Sequence, residues 1–229
     1  KARCRDSIME KLIKNGLSSA QLKYIAILSM LIDHIAVVLL NPVSITYWVS
    51  RFIGRLAFPI FVFLMVEGFR KTSNRLNYIK RIFIFAIISE VPFDLAFFRL
   101  FDFTHQNVLF NLGIGAVMLF IIEKYKKKPY VKYVALIVAA VVAWATRTDY
   151  GYIGILLAAV FYYIRQPMQQ VVCGSIVLLS EPPAILAFGP ILLYNGKRGR
   201  QLKYFFYIFY PLHLLILYGL ARLIFFGVH

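Results

Sequence analysis

Nine apolar runs follow one another along the 229 residues with only short polar gaps between them: 24–40, 52–69, 78–98, 107–123, 131–145, 151–164, 171–180, 184–194 and 204–225. A helix needs about 20 mostly apolar residues to cross a hydrocarbon core, and it satisfies its own backbone while doing so. Runs of this size leave no room for a large soluble domain. The expected fold is all-α: a polytopic integral membrane bundle of about 8–9 transmembrane helices. Runs 171–180 and 184–194 are short, and Glu181-Pro182-Pro183 separates them. They are expected to form a hairpin of short or broken helices over 171–194, buried among the others, because unpaired backbone is tolerated at that depth only under cover. Composition agrees: 61% of residues are hydrophobic and the mean hydropathy is +0.73, well beyond the roughly 45–50% apolar content of a soluble domain.

Residues 1–23 read as a cytoplasmic, interfacial segment and 24–229 as the transmembrane domain. In the first part, Ile8, Met9, Leu12 and Ile13 share a helical face beside Lys11 and Lys14, as in a helix lying at a membrane surface. Gly16 ends that helix, and Ser18 or Ser19 caps the next. The first long run lacks a small-residue cleavage site and is followed by further spans, so it is not a signal peptide.

The net charge of +16, from 26 Lys and Arg against 10 Asp and Glu, would suggest nucleic acid in a soluble protein. Here the cations sit in short gaps and no basic-aromatic surface is laid out for bases, so nucleic acid is not a partner. The N-terminal segment, 70–81, 124–132 and 197–203 are rich in them, whereas the gaps that alternate with these, 41–51, 99–106 and 146–150, hold only Arg51, Arg99 and Arg147. The positive-inside rule then places the N-terminus in the cytoplasm and the C-terminus outside. The run Lys126-Lys127-Lys128 faces acidic membrane lipids. Cys4 and Cys173 have neither metal-ligand nor disulfide spacing, so no metal is expected.

Against this background a few polar residues stand out. Between Tyr24 and Leu40 the only ionisable side chains besides the Tyr24 phenol are Asp33 and His34. Arg51 and Arg55 share a face near the outer end of the second span. Glu90 and Asp94 do the same in the third, and Asn107 and Asn111 where the fourth begins. Asp149 precedes the sixth. His213 lies midway along the last span, where Pro211 leaves the Tyr207 carbonyl without its usual donor. Each ionisable group at the bilayer centre costs about 2.5–3.5 kcal/mol on insertion scales, so several at one level imply a shared, watered cavity. Imidazole takes and returns a proton near neutral pH, which makes His34, with Asp33 beside it, the candidate catalytic pair. Arg51, Arg55, Glu90, Asp94, Asn107, Asn111, Asp149 and His213 are the candidates to face substrate or oxyanion in that cavity. Arg51 and Arg55 fit an ion-pair network as well as a substrate contact, and the two asparagines fit interhelical hydrogen bonding.

The stretches LKYIAILSMLIDHIAVVL, GRLAFPIFVFLMVEGFRKT, YIKRIFIFAIISEVPFDLAF, NVLFNLGIG, DYGYIGILL, NGKRG and KYFFYIFYPLHLLIL resemble the TraX family in order and spacing, from residue 17 onward. The resemblance implies a bacterial cytoplasmic-membrane protein whose family activity is N-acetylation of pilin, distantly similar to other polytopic acyltransferases with a membrane-embedded catalytic His and acetyl-CoA as donor. The matching residue is His34. It implies that acetyl-CoA enters from the cytoplasm with its phosphates on some of Arg70, Lys71, Arg75, Arg81, Lys197, Arg198 and Arg200. His34 then acts as general base or transient acetyl acceptor, and an amine or hydroxyl of a peptide, glycan or lipid receives the acetyl group. Asp33 and His34 point about 100° apart, so Asp33 is expected to orient a neighbouring helix's arginine rather than the His34 ring. Arg51 or Arg55 would face the oxyanion. A small secondary transporter and a membrane assembly scaffold also fit buried ionisable groups.

Overall fold

The structure, a computed structural model, describes residues 16–98, 100, 102, 104–200 and 205–226. The surface helix expected before Gly16, Cys4, Arg99 and Lys203 lie outside these residues. All regular structure among them is helical: α1 (Ser19–Leu39), α2 (Ile45–Gly54), α3 (Ala57–Lys71), α4 (Arg75–Phe97), α5 (Val108–Lys124), α6 (Val131–Ala145), α7 (Gly151–Tyr163), α8 (Pro167–Val177), a 3₁₀ helix (Pro182–Ala187), α9 (Phe188–Leu192) and α10 (Phe205–Phe226). Among the described residues three stretches are long and apolar enough to cross a membrane by length and composition: Ser19–Leu39, Ile45–Lys71 and Phe205–Phe225. The chain is a membrane protein built from these and shorter apolar helices.

Local chemistry sets the boundaries. Ser18 caps α1 in a capping box: its hydroxyl accepts from Gln21 N, and the Gln21 side chain accepts from Ser18 N at 2.8 Å. Ser44, Asn74 and Asn107 cap α2, α4 and α5, each through its side-chain oxygen accepting one backbone N–H. The second apolar run is interrupted at Arg55–Leu56, so Arg51 belongs to α2 and Arg55 sits at its end. Pro59 explains the break, because it has no N–H for the Arg55 carbonyl and its ring crowds that carbonyl. The segment 171–194 forms as broken pieces, with Pro167 opening α8 and Pro182-Pro183 opening the 3₁₀ helix. It is not buried among the other helices as expected: Val172, Ile176, Leu179 and Leu186 are exposed on the outside of the bundle.

Helix α3 is the axis of the bundle. Ten of its fifteen residues are buried, and it contacts α1, α5, α7, the 3₁₀ helix and α9. Helix α10 packs on α4 and α1, which brings the C-terminal part of the chain beside the first span. One end of the bundle gathers Lys23, Arg70, Lys71, Arg75, the 124–132 lysines and Lys197. The other end carries the connections at 40–44, 104–107, 146–150 and 178–181. Two of those connections are tied by backbone: Gln106 N donates to Arg147 O at 3.2 Å and Asp149 N to Gln106 O at 3.0 Å.

Candidate active site

A cavity of about 240 Å³ opens at the lysine-poor end, walled by Asp33, His34, Arg51, Arg55, Asp149 and Tyr150 and floored by Met30, Phe61 and Tyr210. His34 lies roughly 22 Å along α1 from its first residue and about 8 Å from its last, at 1.5 Å per residue. Arg51, Arg55, Asp149 and Tyr150 also line a wider vestibule of about 910 Å³, together with His105, Trp144, Arg147 and Glu181. Those four residues are thus the throat between an inner chamber and its mouth. The chamber falls below the roughly 300 Å³ at which pockets for drug-sized ligands begin. It has room for an acyl group and a small nucleophile, not for a nucleotide.

Adjacent residues on α1 serve different neighbours, as the helical geometry requires. Asp33 accepts from Arg51 Nη1 at 2.6 Å, with side chains 13% and 22% exposed. Gly54 makes this approach possible: a Cβ there would overlap the Asp33 side chain, so only glycine lets α2 lie this close to α1. His34 turns the other way, its Nδ1 2.8 Å from Nε2 of His213 on α10. His213 is buried, and its Nδ1 lies 2.8 Å from the Phe209 carbonyl. His34 keeps partial access through the cavity.

Arg51 and Arg55 do not act on one partner, because the helix carrying them ends between them. Arg55 reaches outward instead, donating to Tyr150 Oη at 3.2 Å and pairing with Glu181 at 3.2 Å. Tyr150 adopts φ +62°, a left-handed backbone uncommon for a bulky side chain. Its ring lies face to face on Phe58, centroids 3.6 Å apart and planes within 1°. Tyr150 and Glu181 escaped the sequence reading. Tyr150 is uncharged within an aromatic-rich chain, and Glu181 reads as a polar break beside two prolines. Asp149 lies in the connection before α7. Solvent reaches it from the vestibule, but protein encloses its other sides, and this loss of water pushes its carboxyl up to about 6 although Arg55 opposes the shift.

The remaining sequence candidates fall elsewhere. Glu90, Asp94, Asn107 and Asn111 do not line the cavity. Asn107 donates to Ala86 O at 2.8 Å and to Glu90. Asp94 accepts from Asp102 N at 3.2 Å, and Asn111 donates to Thr148 Oγ1 at 3.0 Å and Gly151 O at 2.7 Å. Glu90, Asp94 and Asn107 thus anchor the chain after α4, and Asn111 anchors the connection that carries Asp149 and Tyr150 of the throat. The basic set lies at the opposite end of the bundle and lines neither chamber nor vestibule. There Arg70 binds the Phe161 and Tyr162 carbonyls, both at 2.7 Å. Lys71 binds Tyr194 Oη and Gly196 O, both at 2.7 Å, and Arg75 pairs with Glu123 at 3.6 Å. Arg81, Lys197, Arg198 and Arg200 are exposed. Among the described residues no group of His, Cys, Asp and Glu is placed to hold a metal ion.

The TraX protein family matches residues 18–221, a span that includes every wall of the chamber. The chain belongs to the TraX family. A relative within reach of this TraX protein is "Probable fimbrial assembly protein FimC, serogroup H1" of Dichelobacter nodosus, 32% identical over 235 residues that cover 87% of this chain and 94% of that protein. No solved structure matches the chain. The TraX match therefore fixes kinship, while the chamber's architecture is read from this structure alone.

Proposed function

We propose that this TraX-family protein is a membrane acetyltransferase that moves an acetyl group from acetyl-CoA to an amine or hydroxyl delivered through the vestibule. One observation carries the reading: a partly accessible imidazole, His34, at the wall of a small chamber that also holds two guanidinium groups. His34 accepts the proton as the nucleophile attacks the thioester carbonyl. Arg51 or Arg55, each paired with a carboxylate yet lining the chamber, faces the negative charge that develops on the carbonyl oxygen. Collapse breaks the C–S bond, and His34 returns its proton to the departing thiolate or to solvent. The chain's kinship with a fimbrial assembly protein favours a peptide amine of a fimbrial subunit as the acceptor.

Under the positive-inside rule the lysine-rich end faces the cytoplasm and the vestibule faces outward. The CoA nucleotide then docks among the cytoplasmic cations, of which Arg81, Lys197, Arg198 and Arg200 are exposed. Its acyl end reaches His34 only when the floor of Met30, Phe61 and Tyr210 parts. The purified protein should release CoA thiol from acetyl-CoA in the presence of acceptor peptide, and His34→Ala should abolish release while keeping the wild-type melting profile. Release that survives the substitution would remove His34 from the mechanism. Absence of release, with solute accumulating in protein-containing vesicles, would replace the enzyme by a transporter.

A further inference from the structure

We infer that His213 is a positioning residue that fixes the tautomer of His34 and shares its proton, making Nε2 of His34 the reacting nitrogen. The inference rests on the acetyltransferase reading for its chemistry, but its geometry stands alone. The two imidazole planes are within 9° of each other with centroids 5.0 Å apart, and the nitrogens approach to 2.8 Å. That combination is an edge-to-edge hydrogen bond in a common plane, not a face-to-face stack.

The proton positions follow from one fixed end. The Phe209 carbonyl can only accept, so Nδ1 of His213, 2.8 Å away, carries a hydrogen. His213 is 5% exposed, and no carboxylate contacts either ring among the described residues, since Asp33 is held by Arg51. An imidazolium there would be a buried charge without a partner, so both rings rest neutral. Nε2 of neutral His213 is therefore an acceptor, and Nδ1 of His34 must donate to it. The hydrogen of His34 being spent on Nδ1, its Nε2 holds a lone pair. That nitrogen makes no hydrogen bond to any described residue and is not sealed from solvent, on a side chain that lines the chamber.

The chain Phe209 carbonyl, His213, His34 thus does for His34 what a carboxylate does in other dyads, with a neutral terminus in place of a charged one. When Nε2 of His34 takes a proton from the nucleophile, the Nδ1 hydrogen moves along the 2.8 Å bond to Nε2 of His213. His213 then carries both ring hydrogens and the positive charge, a state reached only while the oxyanion of the intermediate supplies the counter-charge that the resting site lacks. On collapse of the intermediate the two hydrogens step back. Nothing is consumed.

The sequence contains four histidines, so nitrogen-15 NMR of histidine-labelled protein in detergent can be assigned by single substitutions. In the wild type at neutral pH, His34 should show a protonated Nδ1 and an unprotonated Nε2. His213→Leu should move His34 toward Nε2–H and lower the rate of acetyl transfer by roughly 100-fold, with the KM for acetyl-CoA unchanged. His213→Gln offers a carbonyl to Nδ1–H but cannot take up the proton. It should restore the tautomer and recover only part of the rate. A protonated Nε2 on wild-type His34, or a tautomer indifferent to His213→Leu, overturns the inference whether or not acetyl groups are transferred. The expected tautomer in a protein that releases no CoA thiol supports the relay and overturns the enzymatic reading instead.

Discussion

Replacing Gly54 by alanine tests whether the α1–α2 contact is as close as the structure has it. Two opposing terms set the outcome. Alanine gains about 1 kcal/mol over glycine in a helix. The added methyl, however, would overlap Cβ, Cγ and Oδ1 of Asp33. Overpacking costs about 1–3 kcal/mol, and the upper part of that range applies, because Asp33 Cβ is one bond from the α1 backbone and cannot swing aside. Separation of α1 and α2 also stretches the Arg51–Asp33 pair, whose partial burial places its worth between the roughly 0–1 kcal/mol of exposed pairs and the 3–5 kcal/mol lost on breaking buried ones. The net is a loss of about 2–3 kcal/mol, or on the order of 5–10 °C in the melting temperature for a chain of this size. Thermal unfolding in a single detergent measures it. Gly219→Ala is the control: it lies within α10, an added Cβ there meets nothing within 4 Å, and the melting temperature should hold or rise. If Gly54→Ala melts with Gly219→Ala at or above the wild type, the close approach and the reasoning built on it are refuted.

Two further outcomes follow from the throat. Asn111→Asp, nearly isosteric, replaces a donor to two oxygens, Thr148 Oγ1 and Gly151 O, by a group that can only accept when ionised. It should cost about 1–3 kcal/mol and expose the 146–150 connection to protease; unchanged protection would show that the asparagine does not hold it. Asp149→Asn should stabilise the protein in a pH-dependent way. The Asp149 carboxyl lies at about 6 in the folded state against 3.8 ordinarily, so holding it ionised costs stability fully above pH 6, and that cost fades as the pH falls toward 4. The gain in melting temperature over wild type should therefore be present at pH 7.5 and vanish near pH 4; a gain constant across that range would contradict the shift.

Continuous apolar runs and cap residues were enough to place most helices, because a membrane span is specified locally by some twenty consecutive side chains and its ends by one or two polar ones. The run 131–145 coincides with α6, and Ser18 begins α1 as its hydroxyl requires. The prominence of Asp33 and His34 was also a local property: two ionisable groups in an apolar stretch stand out with no knowledge of what they face. The sequence argument that Asp33 serves an arginine while His34 turns elsewhere needed only the 100° step of the helix.

What depended on tertiary structure is every pairing across the bundle. His34 and His213 are 179 residues apart, and only the docking of α10 on α1 makes them one unit. Arg51 and Arg55 looked like a matched pair at helical spacing, yet Pro59 ends that helix between them, sending one to Asp33 and the other to Glu181 and Tyr150. Glu90, Asp94, Asn107 and Asn111 carry the same polarity as the throat residues, but their direction of projection makes them anchors instead of walls. The physical reason is general: burial and backbone satisfaction are decided over a few residues, whereas a site is a coincidence of directions among distant segments, and direction is settled only when the helices pack.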